Sequence, residues 1–305
     1  MKKILITGGS GFLGEAIVDE LLFRSEYEIV VMDMRLPRVK KERVRFVKTN
    51  LLEPLPHDVN FKNPYAVINL AGKTISGRWN KAHKRLIYTT RVEGTRNLVN
   101  LFADEKFRPQ VLVSASAVGF YGDAGNSTCD ERAPVGKTYL SMVARDWEQA
   151  SWGAVEYGVR TVMLRNGHIL NPEGGLLKTM LPLYRLGVGG PLGSGRQFFP
   201  WVSRRDAAKA YCKAMESDWS GPCNLVSPDQ LTNLEFSHTL ATSLNRPHLF
   251  KVPKTGLRLL YGEFADEITA SQKVYPRKLL DARFEYRDTE LALFLRTVLR
   301  RAEKG

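Results

Sequence analysis

Three glycines near the amino terminus, Gly8, Gly11 and Gly14, stand three residues apart in the run Ile4-Leu5-Ile6-Thr7-Gly8-Gly9-Ser10-Gly11-Phe12-Leu13-Gly14. The chemistry this spacing suits is the holding of a dinucleotide pyrophosphate. Gly8 permits a tight turn, Gly11 lets backbone approach a phosphate where a Cβ would intrude, and Gly14 allows a helix to pack closely on a strand. The elements that must position these glycines are legible on either side. Ile4 to Ile6 is an apolar run of the length and composition of a buried parallel strand. Leu13, Ile17 and Leu21, with Val18 and Leu22 beside them, give the following segment one apolar helical face. The free N–H groups of that helix N-terminus would face the phosphates, aided by the helix dipole.

The chain has 305 residues, enough for a large core and for either two domains or one large α/β domain. Its apolar stretches are strand-sized, so no membrane span is expected. The first strand follows Met1 at once, so no signal or transit peptide is expected, and the cysteine pattern leads to the expectation of a reducing cytoplasm. The three cysteines, Cys129, Cys212 and Cys223, form neither a metal-ligand spacing nor an even disulfide framework. His83, His168, His238 and His248 show no metal-ligand pattern either and read as surface or satisfied histidines. No metal is expected.

A net charge of +13 raises the question of nucleic acid. Basic residues cluster at Arg35, Arg38, Lys40, Lys41, Arg43, Arg45 and Lys48, and again at Arg78, Lys81, Lys84, Arg85 and Arg91. No helix-turn-helix, zinc finger or aromatic-basic platform accompanies them, so the clusters read as solvated basic surface without a specific nucleic-acid partner.

Strand and helix patterns alternate through the first half, as a doubly wound parallel sheet requires. Strands are expected at 28–33, 44–47, 66–72, 111–114 and 160–164, and helices at 81–102 and 140–156. Past Asn166 the texture changes. The segment 187–195 is rich in glycine and proline, as binding loops often are. A helix at 207–215 and a strand at 224–226 follow, then helices with one strand at 249–252. The predicted fold is α/β: a Rossmann domain over 1–165, rejoined by a segment near 202–226, and a smaller, mainly helical C-terminal lid over 166–305.

Several separated segments carry a resemblance. Thr7 to Gly14, Asn69-Leu70-Ala71-Gly72, Ser114-Ala115-Ser116 and Phe120-Tyr121-Gly122 follow the order found in extended short-chain dehydrogenases, the nucleotide-sugar epimerase group. Gly77-Arg78-Trp79-Asn80, Trp147-Glu148-Gln149-Ala150 and the stretch from Gly189 to Trp201 narrow it. Together they resemble the atypical epimerase-family proteins that carry a short C-terminal domain of unknown function. The resemblance runs essentially end to end and implies an NAD(P)-binding Rossmann fold.

It also implies roles for particular residues. Ser10, Phe12 and Leu13 would offer backbone N–H groups to the pyrophosphate, and Asn50 and Leu51 would flank the adenine. Leu70, Ala71 and Gly72 would line the ribose and pyrophosphate channel, with Arg91 on the next helix and Ser114 on the fifth strand. Asn166 and Gly167 would meet the nicotinamide. Asp33, at the end of the second strand, can accept both adenosine ribose hydroxyl hydrogens and would repel a 2′-phosphate, which favours NAD. Arg35 and Arg38 could clamp that phosphate and keep NADP open.

In the wider superfamily a serine and a Tyr-x-x-x-Lys pair transfer protons while the nicotinamide moves hydride. Ser116 and Tyr139 fit the serine and the tyrosine. Four residues after Tyr139 stands Val143, not lysine, so the standard proton-transfer pair is incomplete. Arg78, Trp79, Arg196, Gln197 and Trp201 would suit an anionic or sugar-like substrate. The expectation is an NAD(P)-dependent oxidoreductase or epimerase-like protein acting on a polar, anionic or nucleotide-linked small molecule. The alternative is a non-catalytic NAD(P) sensor. A homodimer is left open.

Overall fold

The computed structural model describes residues 1–24, 26–38, 41–54 and 62–302. Lys40 of the first basic cluster lies outside them, as do the last three residues of the chain.

Seven strands form one parallel sheet in the order β3-β2-β1-β4-β5-β7-β10. These are β1 (Lys2–Thr7), β2 (Tyr27–Asp33), β3 (Val44–Lys48), β4 (Ala66–Asn69), β5 (Val111–Ala117), β7 (Arg160–Asn166) and β10 (Gly221–Leu225). The order reverses between β1 and β4, and at such a switch point the strand ends part and leave a crevice at the carboxyl edge.

Side-chain alternation along the strands fills both faces. Ile4 and Ile6 of β1 join Ile17, Val18 and Leu21 of α1 (Phe12–Leu22) and the small residues of α5 (Arg204–Glu216). Leu5 points the other way, into a cluster with Val30, Val67, Leu112 and with Leu98 and Val99 of α2 (Lys81–Asn100). On that side α3 (Tyr139–Trp152) lies next to α2. Asn80 caps α2 by accepting from the His83 N–H, and Thr138 caps α3 by accepting from the Ser141 N–H.

The remaining elements gather at the carboxyl edge. A two-residue strand β6 (Thr128–Cys129) pairs with β11 (Lys273–Val274), and β8 (His168–Asn171) pairs with β9 (Trp201–Ser203). Around Trp201 and Phe199 pack α4 (Gly175–Arg185), α6 (Asn233–Ser243) and α10 (Leu291–Ala302). The helices α7 (Lys254–Tyr261) and α8 (Phe264–Ile268) bring Phe264 against Trp79, and α9 (Arg277–Asp281) lies beside β10.

The strand expected at 249–252 does not form. Leu249 and Phe250 are largely exposed, and Val252 makes only an isolated bridge to Leu192. An apolar run does not make a strand without a partner edge to bond. Two strands are longer than their apolar runs suggest: β5 continues to Ala117 and β7 to Asn166. No helix among the described residues is long and apolar enough to cross a membrane.

Candidate dinucleotide site at the carboxyl edge of the sheet

The glycine turn takes the shape its spacing demands. Gly8 lies in the left-handed region at φ +68°, and a Cβ there would meet the Leu70 carbonyl carbon at 2.9 Å. A Cβ on Gly14 would come within 2.5 Å of the Gly8 oxygen, so this glycine is what lets α1 press onto the turn. Gly11 is different: it is the N-cap of α1, supplies no capping side chain, and a Cβ there would approach only the Gly8 oxygen, at 3.1 Å. The first-turn amides of α1, those of Phe12 and Leu13, therefore lack a side-chain acceptor. Beside them the Ser10 hydroxyl oxygen is buried with no hydrogen-bond partner among the described residues. An uncapped helix start, a bare backbone and an orphaned buried hydroxyl fit a phosphate-bearing group.

Asp33 ends β2 with its carboxylate turned to this loop, accepting from the Ser10 N–H at 3.1 Å and from the Arg35 N–H at 3.2 Å. Arg35 is exposed, and Arg38 approaches Glu15 at 3.8 Å. Leu70 and Ala71 follow β4 beside Gly8, and Gly72 lies against Arg91, whose guanidinium carbon would be 3.1 Å from a Gly72 Cβ. Arg91 donates to the Lys73 carbonyl at 2.7 Å and lies 5.2 Å from the Trp147 ring. Burial pulls its pKa down to about 10, and Tyr139 opposes that shift. Asn50 spends its side chain on the following turn, and Leu51 is buried with its carbonyl held by Asn97.

Below this edge runs a buried polar chain that the apolar strand pattern does not announce. Thr7 donates to Asn69 at 2.6 Å, and Asn69 donates to Thr95 and Ser114. Ser151 donates to Ser114, and the Trp147 indole donates to Thr95. Ser114 is thus an interior tie between β4, β5 and α3 rather than a cofactor contact, because its hydroxyl is fully buried and already bonded.

Ser116, two residues on, lies near the carboxyl end of β5. Its buried hydroxyl donates to Glu148 at 2.6 Å. Glu148 in turn takes both arms of the Arg165 guanidinium at 2.8 Å each. Burial opposes charge on Arg165, but the hydrogen bonds and charge of Glu148 outweigh it and raise its pKa. Glu148 served in the sequence only as part of a resemblance segment, and no local signal tied it to Ser116, 32 residues away. Asn166 donates to the Ser116 carbonyl at 3.0 Å, and Gly167 is pinched between Pro200 and Val226.

The Tyr139 hydroxyl donates to the Lys84 carbonyl at 2.5 Å, and burial raises its pKa. The Lys84 ammonium lies 4.6 Å from the Tyr139 ring centroid. Val143, where the superfamily lysine would stand, is buried in an apolar cluster with Trp79, Ile87 and Phe264.

The five expected substrate contacts do not converge. Arg78 and Arg196 are exposed. Trp79 is buried, stacked on Phe264, with its indole N–H donated to Ile75. Gln197 donates to the Leu192 carbonyl and accepts from Ser194, so it braces its own glycine-rich loop. Trp201 is wholly buried among the C-terminal helices. Trp79 and Trp201 are thus packing residues and Gln197 a brace for its own loop, so the three do not form an exposed substrate surface. Among the described residues no group of three or more His, Cys, Asp or Glu could hold a metal ion.

Comparison with known proteins adds the following. The model of the NAD dependent epimerase/dehydratase family matches residues 4–225, and that of a domain of unknown function, DUF1731, matches 252–298. An epimerase family protein of Staphylococcus haemolyticus is 34 % identical over 298 residues, covering 96 % of this chain and 98 % of its own. One from Mycobacterium bovis is 34 % identical over 286 residues, 93 % of each chain. The crystal structure of human epimerase family protein SDR39U1 (isoform 2) with NADPH superposes with a TM-score of 0.85 at 29 % identity, covering 97 % and 98 % of the two chains. A UDP-galactose 4-epimerase structure, 20 % identical with a TM-score of 0.77 over 99 % of each chain, shares the fold.

Proposed function

Because the chain belongs to the NAD-dependent epimerase/dehydratase family, we propose that it is an NAD(P)-dependent oxidoreductase or epimerase-like enzyme. Its substrate would be a polar, anionic or nucleotide-linked small molecule. The observation that carries this reading is the glycine turn with its uncapped helix start and unpartnered Ser10 hydroxyl, opposite a polar group at Ser116 on the same carboxyl edge.

Ser10, Gly11, Phe12 and Leu13 would hold the pyrophosphate through backbone and hydroxyl donors. Asp33 would receive the adenosine ribose, and Asn166 with Gly167 would border the nicotinamide. When bound, the dinucleotide supplies two-electron hydride exchange with a carbon of the substrate. Ser116 then acts in an unusual sense. Its proton is committed to Glu148, so its free lone pairs suit acceptance of a hydrogen bond from a substrate hydroxyl. Tyr139 is committed to Lys84 and lacks a lysine four residues on, which leaves it a poor proton acceptor.

The carboxylate of Asp33 at the adenosine position favours NAD. The exposed Arg35 and the NADPH-bound relative support a second reading in which NADP is used. A different alternative, a dinucleotide sensor without turnover, is favoured by one observation: the buried Val143 fills the lysine position with apolar packing.

The test is mass spectrometry of molecules that co-purify with the native chain, followed by 340 nm absorbance on mixing the loaded protein with sugar nucleotides and small carbonyl compounds. The enzyme reading expects bound NAD(H) or NADP(H) and an absorbance change that Ser116→Ala abolishes. A bound dinucleotide whose redox state never changes would favour the sensor, and a protein that neither carries nor binds a dinucleotide would overturn both.

A further inference from the structure

The first turn of α1 carries the amides that would meet a phosphate, yet it supplies no cap of its own. Gly11 stands at the cap position without a side chain, and a helix start of that kind frays unless tertiary contacts order it. Such contacts come from Arg204, 192 residues away at the start of α5. Its Nε donates to the Phe12 carbonyl at 2.6 Å, and its guanidinium carbon lies 4.9 Å from the centroid of the Phe12 ring. One terminal nitrogen donates to Glu173 at 3.1 Å, and the other pairs with Glu15 of α1 at 3.7 Å. The side chain is 13 % exposed, and the backbone beneath it is fixed by the Ser203 hydroxyl that caps α5. Gly174 closes on the same Phe12 ring, so tightly that a Cβ there would come within 2.4 Å of it. Phe12 is therefore held at its carbonyl and at its ring.

We propose that Arg204 is a positioning residue for the dinucleotide: it orders the first turn of α1, so that the Phe12 and Leu13 amides are set before the pyrophosphate arrives. The proposal rests on reading the glycine turn as the pyrophosphate holder. Each guanidinium nitrogen already has a protein oxygen as its partner, so Arg204 acts through Phe12 rather than as a phosphate ligand. The two contacts that matter most can be ranked. Glu173 is 70 % exposed, and a pair with so wet a partner contributes little. The bond to the Phe12 carbonyl has a charged donor on a side chain mostly shielded from water, which makes it the stronger hold. A helix start ordered in this way spares the ligand the entropy of ordering it on contact. No bond is made or broken at Arg204 in this role.

The test combines NADH and NADPH titrations, followed by nicotinamide fluorescence, with amide hydrogen exchange read by NMR in the full-length chain. Arg204→Met keeps an unbranched stem beside Phe12 and removes the donors. It should bind the parent's dinucleotide at least tenfold more weakly, with an unchanged urea midpoint. In the dinucleotide-free chain its Glu15 amide, which bonds the Gly11 carbonyl at 2.9 Å, should exchange at least tenfold faster than in the parent. Arg204→Lys keeps one charged donor for the Phe12 carbonyl and should lose no more than threefold in Kd. Glu173→Gln should also stay within threefold, and a tenfold loss there would place the ordering in the link between β8 and α4, against the proposal. Arg204→Met that binds within threefold of the parent overturns the proposal and leaves the dinucleotide site standing. Weak binding with Glu15 exchange unchanged overturns it too, since Arg204 would then act on the ligand directly. If Arg204→Met does not fold, the parent alone decides. Its free Glu15 amide should be protected to within tenfold of the Val18 amide, and protection that appears only on adding dinucleotide would contradict an ordered start. A parent chain that binds neither dinucleotide overturns the site and the proposal together.

Discussion

Ser116 Oγ donates a 2.6 Å hydrogen bond to Glu148, whose carboxylate is clamped by Arg165. One buried ion pair thereby fixes the orientation of the hydroxyl near the carboxyl end of β5. A charge pair this deep contributes little net stability when intact, but removing one partner strands the other in a medium that cannot solvate it. Glu148→Ala should destabilise the chain by about 3–5 kcal/mol in urea unfolding. Replacing both Glu148 and Arg165 by methionine should recover most of that loss. If the single substitution costs no more than a surface change, the pair is solvated and does not fix Ser116.

Gly14 and Gly11 should separate packing from binding. A methyl at Gly14 runs into the Gly8 and Gly9 backbone, so Gly14→Ala should cost about 1–3 kcal/mol of stability through overpacking. A methyl at Gly11 meets one carbonyl oxygen at 3.1 Å and should be tolerated by the fold. Thermal unfolding of the two variants checks this, and equal losses would refute the distinction.

How much of this was readable in advance follows from the range of the interactions involved. The glycine turn and the seven strands announce themselves because their signals are local: three spaced glycines, short apolar runs, period-matched helices. Ser116, Asp33 and Asn166 stand out in the sequence because strand ends are where such a fold presents residues. The partners that decide what Ser116 does are not local, since Glu148 comes from α3 and Arg165 from β7. Trp201 and Gln197 were misread for a related reason. The glycine-rich stretch looks open in sequence, yet Trp201 just past it pairs with β8 and packs among α4, α6 and α10.

Asp33 should set cofactor preference. Its carboxylate ends β2 beside the glycine turn and is steadied by the Ser10 and Arg35 amides. Asp33→Ala should raise the affinity for NADPH relative to NADH about tenfold, or about 1.4 kcal/mol. Asp33→Asn keeps an acceptor for those amides while removing the charge and should move the ratio the same way. Paired fluorescence titrations read the ratio, and an unchanged value would remove Asp33 from cofactor choice.

His168 should leave a mark on acid stability. Its folded pKa of about 4 lies below the ordinary value of 6.5, so the unfolded chain binds the proton more readily. Stability is therefore lost as pH falls from about 6.5 toward 4, and is fully present above that window. His168→Gln should flatten this part of the profile relative to the parent chain. Parallel profiles in urea would show that the imidazole titrates normally.

The account stands most directly on one titration: NADH and NADPH into the parent chain and into Gly11→Ala, followed by nicotinamide fluorescence. The parent should bind at least one of them at a single site per chain. Gly11→Ala should bind it at least tenfold more weakly while its unfolding free energy stays within about 1 kcal/mol of the parent. A parent chain that binds neither dinucleotide, or a Gly11→Ala chain that binds as well as the parent, would contradict the glycine turn as the holder of the pyrophosphate.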